Sequence, residues 1–143
     1  MNIEQMTIED FEEIHQIWSA TEGMTLRSID DSKEGIERFL KRNPKSNFIC
    51  RRDSRIIGGI LCGHDGRKGF IYHIVVKKKY RNRGIAKSLV EAVKKALKEE
   101  HITKIGVLVN ADNISGDKFW ESLGFKYFDD LIYRILPIDE ANK

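Results

Sequence analysis

Five of the seven residues from Lys77 to Arg83 are cationic, and the run leads directly into Gly84-Ile85-Ala86. Cations beside small residues suit phosphate chemistry when they stand at the start of a helix. The first turn leaves backbone N–H groups unpaired and carries the positive end of the helix dipole. Gly84 and Ala86 add no bulk that would keep a phosphate from those amides. The flanking sequence supplies the geometry: FIYHIVV, residues 70–76, reads as an apolar strand, and Ile85, Leu89, Val93 and Leu97 recur at helical spacing. Strand, basic loop and helix start together make a candidate pyrophosphate site. A solvated basic loop before a helix has the same composition, and on these residues alone both readings stay open. Two specific nucleotide motifs are excluded by spacing. A P-loop ending in Lys87-Ser88 needs Gly where Ala86 and Arg81 stand, and the dinucleotide pattern GxGxxG lacks its second glycine after Gly84.

The elements that must hold this segment follow from periodicity and turn chemistry. Residues 2–6 suit a strand, and Thr7 with Asp10 resembles a capping box before a helix striped by Ile8, Phe11, Ile14, Ile17 and Trp18. Residues 19–31 lose the period and read as a loop. Asp31 or Ser32 caps a second helix through about Arg42, which Asn43-Pro44 ends. Three β-branched runs, NFIC, RIIGGILCG and GFIYHIVV, are separated by turns at Asp53-Ser54 and His64-Asp65-Gly66, which predicts three antiparallel strands. After the helix from Ile85 the pattern predicts a strand at about Lys104–Val109 and a short helix over 113–123 closed by Gly124. A last pair of strands, 125–128 and 131–136, is expected around Asp129-Asp130.

The 143 residues have room for one domain, read as 1–143, and 41% hydrophobic with 33% charged residues describes an ordinary globular protein. A net charge of +3 is too small to imply a polyanion partner. Cys50 and Cys62 lack CxxC spacing and suggest neither metal nor disulfide, so a reducing cytoplasm is the expected setting. The acidic N-terminus is unlike a signal peptide, and no apolar run is long enough to span a bilayer, so no membrane association is expected.

Arg81-Asn82-Arg83-Gly84-Ile85-Ala86 matches the pattern Arg/Gln-x-x-Gly-x-Gly/Ala. With Ile74-Val75-Val76 ahead of it and the run from Asn113 through Trp120 to Leu123-Gly124-Phe125 behind, the chain resembles GNAT-superfamily N-acetyltransferases over essentially its whole length. Gly63-His64-Asp65-Gly66-Arg67 resembles a subgroup of small bacterial members. The resemblance implies an α/β (α+β) GNAT fold. Its sheet is mixed and mostly antiparallel, with six to seven strands and a central splayed parallel pair, flanked by four helices. It implies acetyl-coenzyme A as cosubstrate. The pantetheine arm would pair along Ile74, Val75 and Val76, and the pyrophosphate would lie on Arg81, Asn82, Arg83, Gly84, Ile85 and Ala86 with Lys87 beside them. The Val76 N–H would polarise the acetyl carbonyl. Asn113 would bind the pantetheine or cap the helix after it.

Trp120 departs from the family pattern, because many members have there a Tyr placed to protonate the departing thiolate. An indole N–H is too weak an acid for this, so the thiolate leaves unassisted or Tyr72, Tyr133 or water serves. Alternatively, Trp120 packs the helix against the sheet and the coenzyme. Leu108 stands where some protein N-terminal acetylating relatives carry Glu.

A primary amine is mostly protonated at neutral pH, so a base is useful, and His73 on the central strand is the candidate; a hydrogen-bonded core histidine fits as well. By the same resemblance Trp18, Glu22 and Asp30, with Asp31, Asp129 and Asp130, lie in regions that select the acceptor. The implied function is N-acetylation of a small-molecule or peptide amine by direct attack in a ternary complex, with no metal, by a monomer or homodimer. The alternative is a non-catalytic coenzyme A-binding or regulatory module. Nucleic-acid binding through Lys77–Arg83 is not expected, since no broad basic face or recognised motif accompanies it.

Overall fold

The computed structural model describes residues 1–143, and its sheet grows from two tight turns. β2 (Phe48–Arg52) passes into β3 (Arg55–His64) through Asp53 and Ser54 at φ 51° and 69°, the successive positive angles that match the natural twist of paired strands. β3 returns as β4 (Gly69–Val76) through a turn in which the Asp65 carboxylate accepts from the Arg67 and Lys68 N–H groups at 2.8 and 2.9 Å. β1 (Asn2–Gln5) borders β2, and β5 (Ile105–Val107) borders β4. The order is β1-β2-β3-β4-β5, antiparallel except for the parallel β4–β5 pair.

Helices cover both faces. On one, Thr7 N–H donates to Asp10 at 2.9 Å to close a single 3-10 turn, Ile8–Asp10, that runs into α1 (Phe11–Ala20). Ser32 caps α2 (Lys33–Arg42), accepting from Gly35 N–H at 3.0 Å. Ile14, Ile17, Trp18 and Ile36 pack from these helices onto Ile49, Ile56, Leu61 and Val75. Gly59 permits the approach, because a Cβ there would stand 2.9 Å from Ile14 Cδ1. On the other face lie α3 (Ile85–Glu99) and α4 (Ile114–Ser122). Leu89, Val90 and Val93 are wholly buried against Cys50, Ile57, Ile60, Cys62 and Ile71, each such side chain worth about 1.5–3 kcal/mol.

β4 carries an irregularity that its sequence hides. Leu61 faces His73 and Cys62 faces Ile71, which leaves Tyr72 as an extra residue in a β-bulge. Strict alternation would send Tyr72 and His73 to opposite faces. Instead the Tyr72 ring meets Phe39 of α2 at 5.5 Å and the His73 ring meets Trp18 of α1 at 4.9 Å, so both turn toward the α1–α2 layer.

The four helices and the presence of a parallel pair match expectation, but the pair lies at the edge of the sheet rather than its centre, and the sheet has five strands rather than six to seven. Residues 125–136 form no strand pair, and β5 spans three residues instead of the 104–109 expected. Asp129 and Asp130 keep negative φ and so do not make the tight hairpin turn that their composition suggested. The tail is instead drawn toward the α1–α2 loop. Ser28 N–H donates to Lys143 O at 2.8 Å, and Ile29 and Asp30 N–H donate to Asn142 Oδ1 at 2.9 and 3.1 Å. Leu131, Ile132, Ile135 and Leu136 remain exposed along the way. No helix is long and apolar enough to cross a membrane.

Candidate active site

β4 and β5 pair only from Gly69–Ile71 to Ile105–Val107, and beyond that the two segments part. A cavity of about 250 Å³ opens between them. β4 contributes Ile71–Ile74 to its wall, the chain after β5 contributes Leu108–Asn110, and Asn113 and Trp120 close the far side. Gly23, Met24 and Thr25 of the α1–α2 loop form the rim.

The direction of the β4 backbone groups can be worked out from one bond. Lys77 N–H donates to Ile57 O at 2.8 Å, which makes the facing residues Gly58 and Val76 a non-hydrogen-bonded pair. Alternation makes Gly59–Val75 a hydrogen-bonded pair and Ile60–Ile74 another non-hydrogen-bonded one. The N–H and C=O groups of Ile74 and Val76 therefore point away from β3, toward the side where β5 has departed. Those of Val75 are committed to Gly59, and its side chain is buried in the α1–α2 layer, so of the three residues expected along the pantetheine only Ile74, with both groups, and Val76, with its N–H, offer the edge to a ligand; the Val76 carbonyl is taken by Arg81.

At the end of β4 the chain enters the basic loop. Arg81 Nε donates to Val76 O at 2.9 Å, tying the loop to the strand. Asn82 takes φ 63° and Gly84 φ 79°, after which α3 begins. A Cβ built on Gly84 would meet nothing within 4 Å, so the space over the helix start is open. The N–H groups of Ile85, Ala86 and Lys87 belong to the first turn, before the helical ladder begins with Ser88 N–H on Gly84 O at 3.0 Å. Arg52, Lys79 and Arg83 surround the Tyr80 ring at 5.6, 5.8 and 5.6 Å, and Lys87 is exposed. Backbone donors, open space and cations thus coincide, and these residues fit a coenzyme A pyrophosphate.

His73 reaches the cleft from the opposite side. Its Nε2 lies 2.7 Å from Asp31 Oδ1, and both side chains are largely buried.

A profile of the acetyltransferase (GNAT) family matches residues 8–125. The chain belongs to the GNAT acetyltransferase family. An acetyltransferase of Sodalis glossinidius (strain morsitans) is 30% identical to it over 132 residues, covering 92% of each chain. Two solved structures share the fold. PaiA N-acetyltransferase from Thermoplasma acidophilum, in complex with coenzyme A, superposes with a TM-score of 0.76 at 22% identity, covering 99% of this chain and 94% of that one. Ard1 from Thermoplasma volcanium does so with a TM-score of 0.77 at 17% identity, covering 87% and 82%.

Within this GNAT fold the other sequence-predicted residues divide by position. Asn113 caps α4, its Oδ1 accepting from Gly116 N–H at 3.0 Å, while its Nδ2 has no protein partner and the residue lines the cleft. Trp120 also lines the cleft but is buried, edge-on to Phe119 and Phe125 at 5.0 Å each. Trp18 does not reach the cavity: it is wholly buried behind His73, where no acceptor could touch it. Glu22 is exposed outside the cavity wall. Asp30 is turned to the tail and accepts from Asn142 Nδ2 at 2.8 Å. The carboxylate that meets the site is its neighbour Asp31, whose sequence context suggested a helix cap or a loop charge. Burial pushes the Cys62 thiol up to about 12 and raises that of Cys50, so neither supplies a ready thiolate. Burial likewise raises the Tyr72 phenol, which makes it a weaker proton donor. No group of side chains is arranged to hold a metal ion.

Proposed function

We propose that the protein transfers the acetyl group of acetyl-coenzyme A to a primary amine, with both reactants bound together in the cleft between β4 and β5. The observation that carries this reading is the convergence on one cleft of three things: the open edge at Ile74 and the Val76 N–H, the open start of α3 at Gly84, and His73. The coenzyme A in the PaiA neighbour supports the choice of cosubstrate.

When bound, acetyl-coenzyme A supplies a thioester whose carbonyl carbon accepts the amine nitrogen as the carbon–sulfur bond breaks and the electron pair leaves on sulfur. The rest is done by the chain. Ile74 and Val76 hold the pantetheine by adding it to the sheet edge, and Asn113 Nδ2 donates to it. The amides at 85–87 and the cations of the basic loop hold the pyrophosphate. Val76 N–H donates to the carbonyl oxygen as charge develops there. His73 accepts the proton that the amine must lose. Trp120 packs and gives no proton; a thiol pKa near 8.5 makes the thiolate a competent leaving group unaided. The buried, high-pKa cysteines favour direct transfer over an acetylated enzyme.

Thiol release from acetyl-coenzyme A over a panel of polyamines, amino acids, aminoglycosides and short peptides tests the proposal. Acceptor-dependent release with formation of the acetylated amine is expected. Retained coenzyme A binding with no transfer to any acceptor would return the chain to a non-catalytic coenzyme A-binding module.

A further inference from the structure

The cleft holds one ionisable pair formed by residues 42 apart, and it is better built than a surface contact. His73 Nε2 and Asp31 Oδ1 are 2.7 Å apart with side-chain exposures of 13% and 8%. The other carboxylate oxygen is also engaged: Asp31 Oδ2 accepts from Arg27 N–H at 2.6 Å. The segment is fixed on both sides, because Ser28–Asp30 are clasped by residues 141–143 and Ser32 caps α2. Trp18 lies against the imidazole at 4.9 Å and limits its rotation. His73 Nδ1 has no protein partner, yet no side-chain polar atom is buried without one, so Nδ1 keeps access to solvent, and His73 is one of the residues lining the cleft.

We propose that Asp31 is a positioning residue for His73: by accepting from Nε2–H it holds the imidazole in the tautomer whose Nδ1 lone pair faces the acceptor amine. This rests on the acetyl-transfer reading above. The proton leaves the amine nitrogen for Nδ1, and the imidazolium so formed has a carboxylate on its far nitrogen. That carboxylate is charged at neutral pH. Burial acts to raise its pKa, but the hydrogen bonds from His73 and Arg27 and the nearby charges of His73 and His15 outweigh it and hold it below the ordinary value. Other titratable groups near the pair are His15 on α1, the Tyr72 phenol beside His73 on β4, and Asp30, whose carboxylate is turned to Asn142.

Asp31→Asn is the informative change because the site needs two acceptors and an amide has one. The Arg27 backbone N–H cannot become an acceptor, whereas an imidazole can move its proton. The Asn oxygen therefore stays on Arg27, its NH₂ faces Nε2, and the ring switches to the Nδ1–H tautomer, removing the lone pair from the cleft.

Long-range ¹H–¹⁵N spectra of the free protein read the tautomer without any substrate. The wild type is expected to show neutral His73 protonated at Nε2, and Asp31→Asn to shift it to Nδ1–H. His73→Gln assigns the resonances, and His15→Gln separates the neighbouring histidine. An Nδ1–H wild type, or a tautomer unchanged in Asp31→Asn, would overturn the proposal whether or not an acceptor is known. With an acceptor that turns over in the panel, Asp31→Asn should lower kcat about tenfold or more with coenzyme A affinity unchanged, and adding it to His73→Gln should cost little further. Full additivity of the two would also overturn it. If Asp31→Asn is poorly folded by thermal unfolding, Asp31→Glu serves instead: it keeps two acceptors and should retain the wild-type tautomer. Absence of turnover with every amine, with the tautomer as expected, counts against the acetyl-transfer reading and leaves the Asp31–His73 geometry standing.

Discussion

Replacing Gly84 with valine separates two effects that coincide at the start of α3. The first is strain: Gly84 sits at φ 79°, where an L-residue costs about 1–2 kcal/mol, more when β-branched. For a chain of this size that lowers the melting temperature by about 3–10 °C. The second is occlusion. The valine would meet no protein atom at its Cβ, so its side chain fills open space over the amides of residues 85–87. If a pyrophosphate uses that space, at least one charged hydrogen bond is lost, worth about 1.5–3 kcal/mol or roughly 10–150-fold in affinity. Gly66 is the internal control, since it has φ 90°, is equally free of neighbours and lies in the β3–β4 turn. Gly66→Val should lose comparable stability and no affinity. Calorimetric titration with coenzyme A beside thermal unfolding of the two variants reads both effects. A Gly84→Val protein that binds coenzyme A within twofold of wild type, or a Gly66→Val protein that loses as much, would refute the placement of the pyrophosphate.

Trp120→Phe removes the indole N–H but keeps a ring against Phe119 and Phe125, so turnover should survive with a stability loss of about 1–3 kcal/mol; collapse of turnover in a folded variant would give the N–H a direct role. Cys50 and Cys62 should resist alkylation at pH 8 until the protein is unfolded, and no acetylated cysteine should appear by mass spectrometry after mixing with acetyl-coenzyme A; rapid labelling of the native protein contradicts their burial. The Asp31 carboxyl is depressed from its ordinary 3.8, so its contribution to stability is present above that value and is lost as pH falls through the lower, folded one. In urea titrations the stability gap between wild type and Asp31→Asn should thus persist down to about pH 4 and narrow as pH falls below 3.8; a gap constant down to pH 2 would show that the carboxylate is not the source.

What sequence reveals here tracks how local the signal is. Thr7 and Asp10 cap a turn three residues long, Asp53-Ser54 makes its own hairpin, and Gly84 ends a contiguous basic loop, so each could be read from neighbours. The bulge at Tyr72 could not, because an inserted residue leaves an apolar strand looking equally apolar. Asp31 and His73 meet only because α2, β2 and β3 carry the chain back to the start of α2, and nothing in either residue's surroundings announces the other. Trp18, a good candidate acceptor wall by composition, turns out to be the support behind His73. The tail misleads in the opposite way: apolar residues around Asp129-Asp130 carry the composition of a hairpin, but the aspartates keep negative φ and residues 141–143 bind elsewhere.

The outward-facing peptide groups of Ile74 and Val76 have a consequence for how this chain can diverge. They lie in the plane of the sheet, whereas Tyr72 and His73 project from its face. Every residue but proline carries the same N–H and C=O, so most substitutions at 74 or 76 leave the edge intact. On the function proposed above, a lineage could therefore exchange the side chains above β4, and with them the amine accepted, while the edge that holds the acyl donor passes unaltered from one descendant to the next. A proline at position 76 would be the rare single replacement that erases the donor N–H itself.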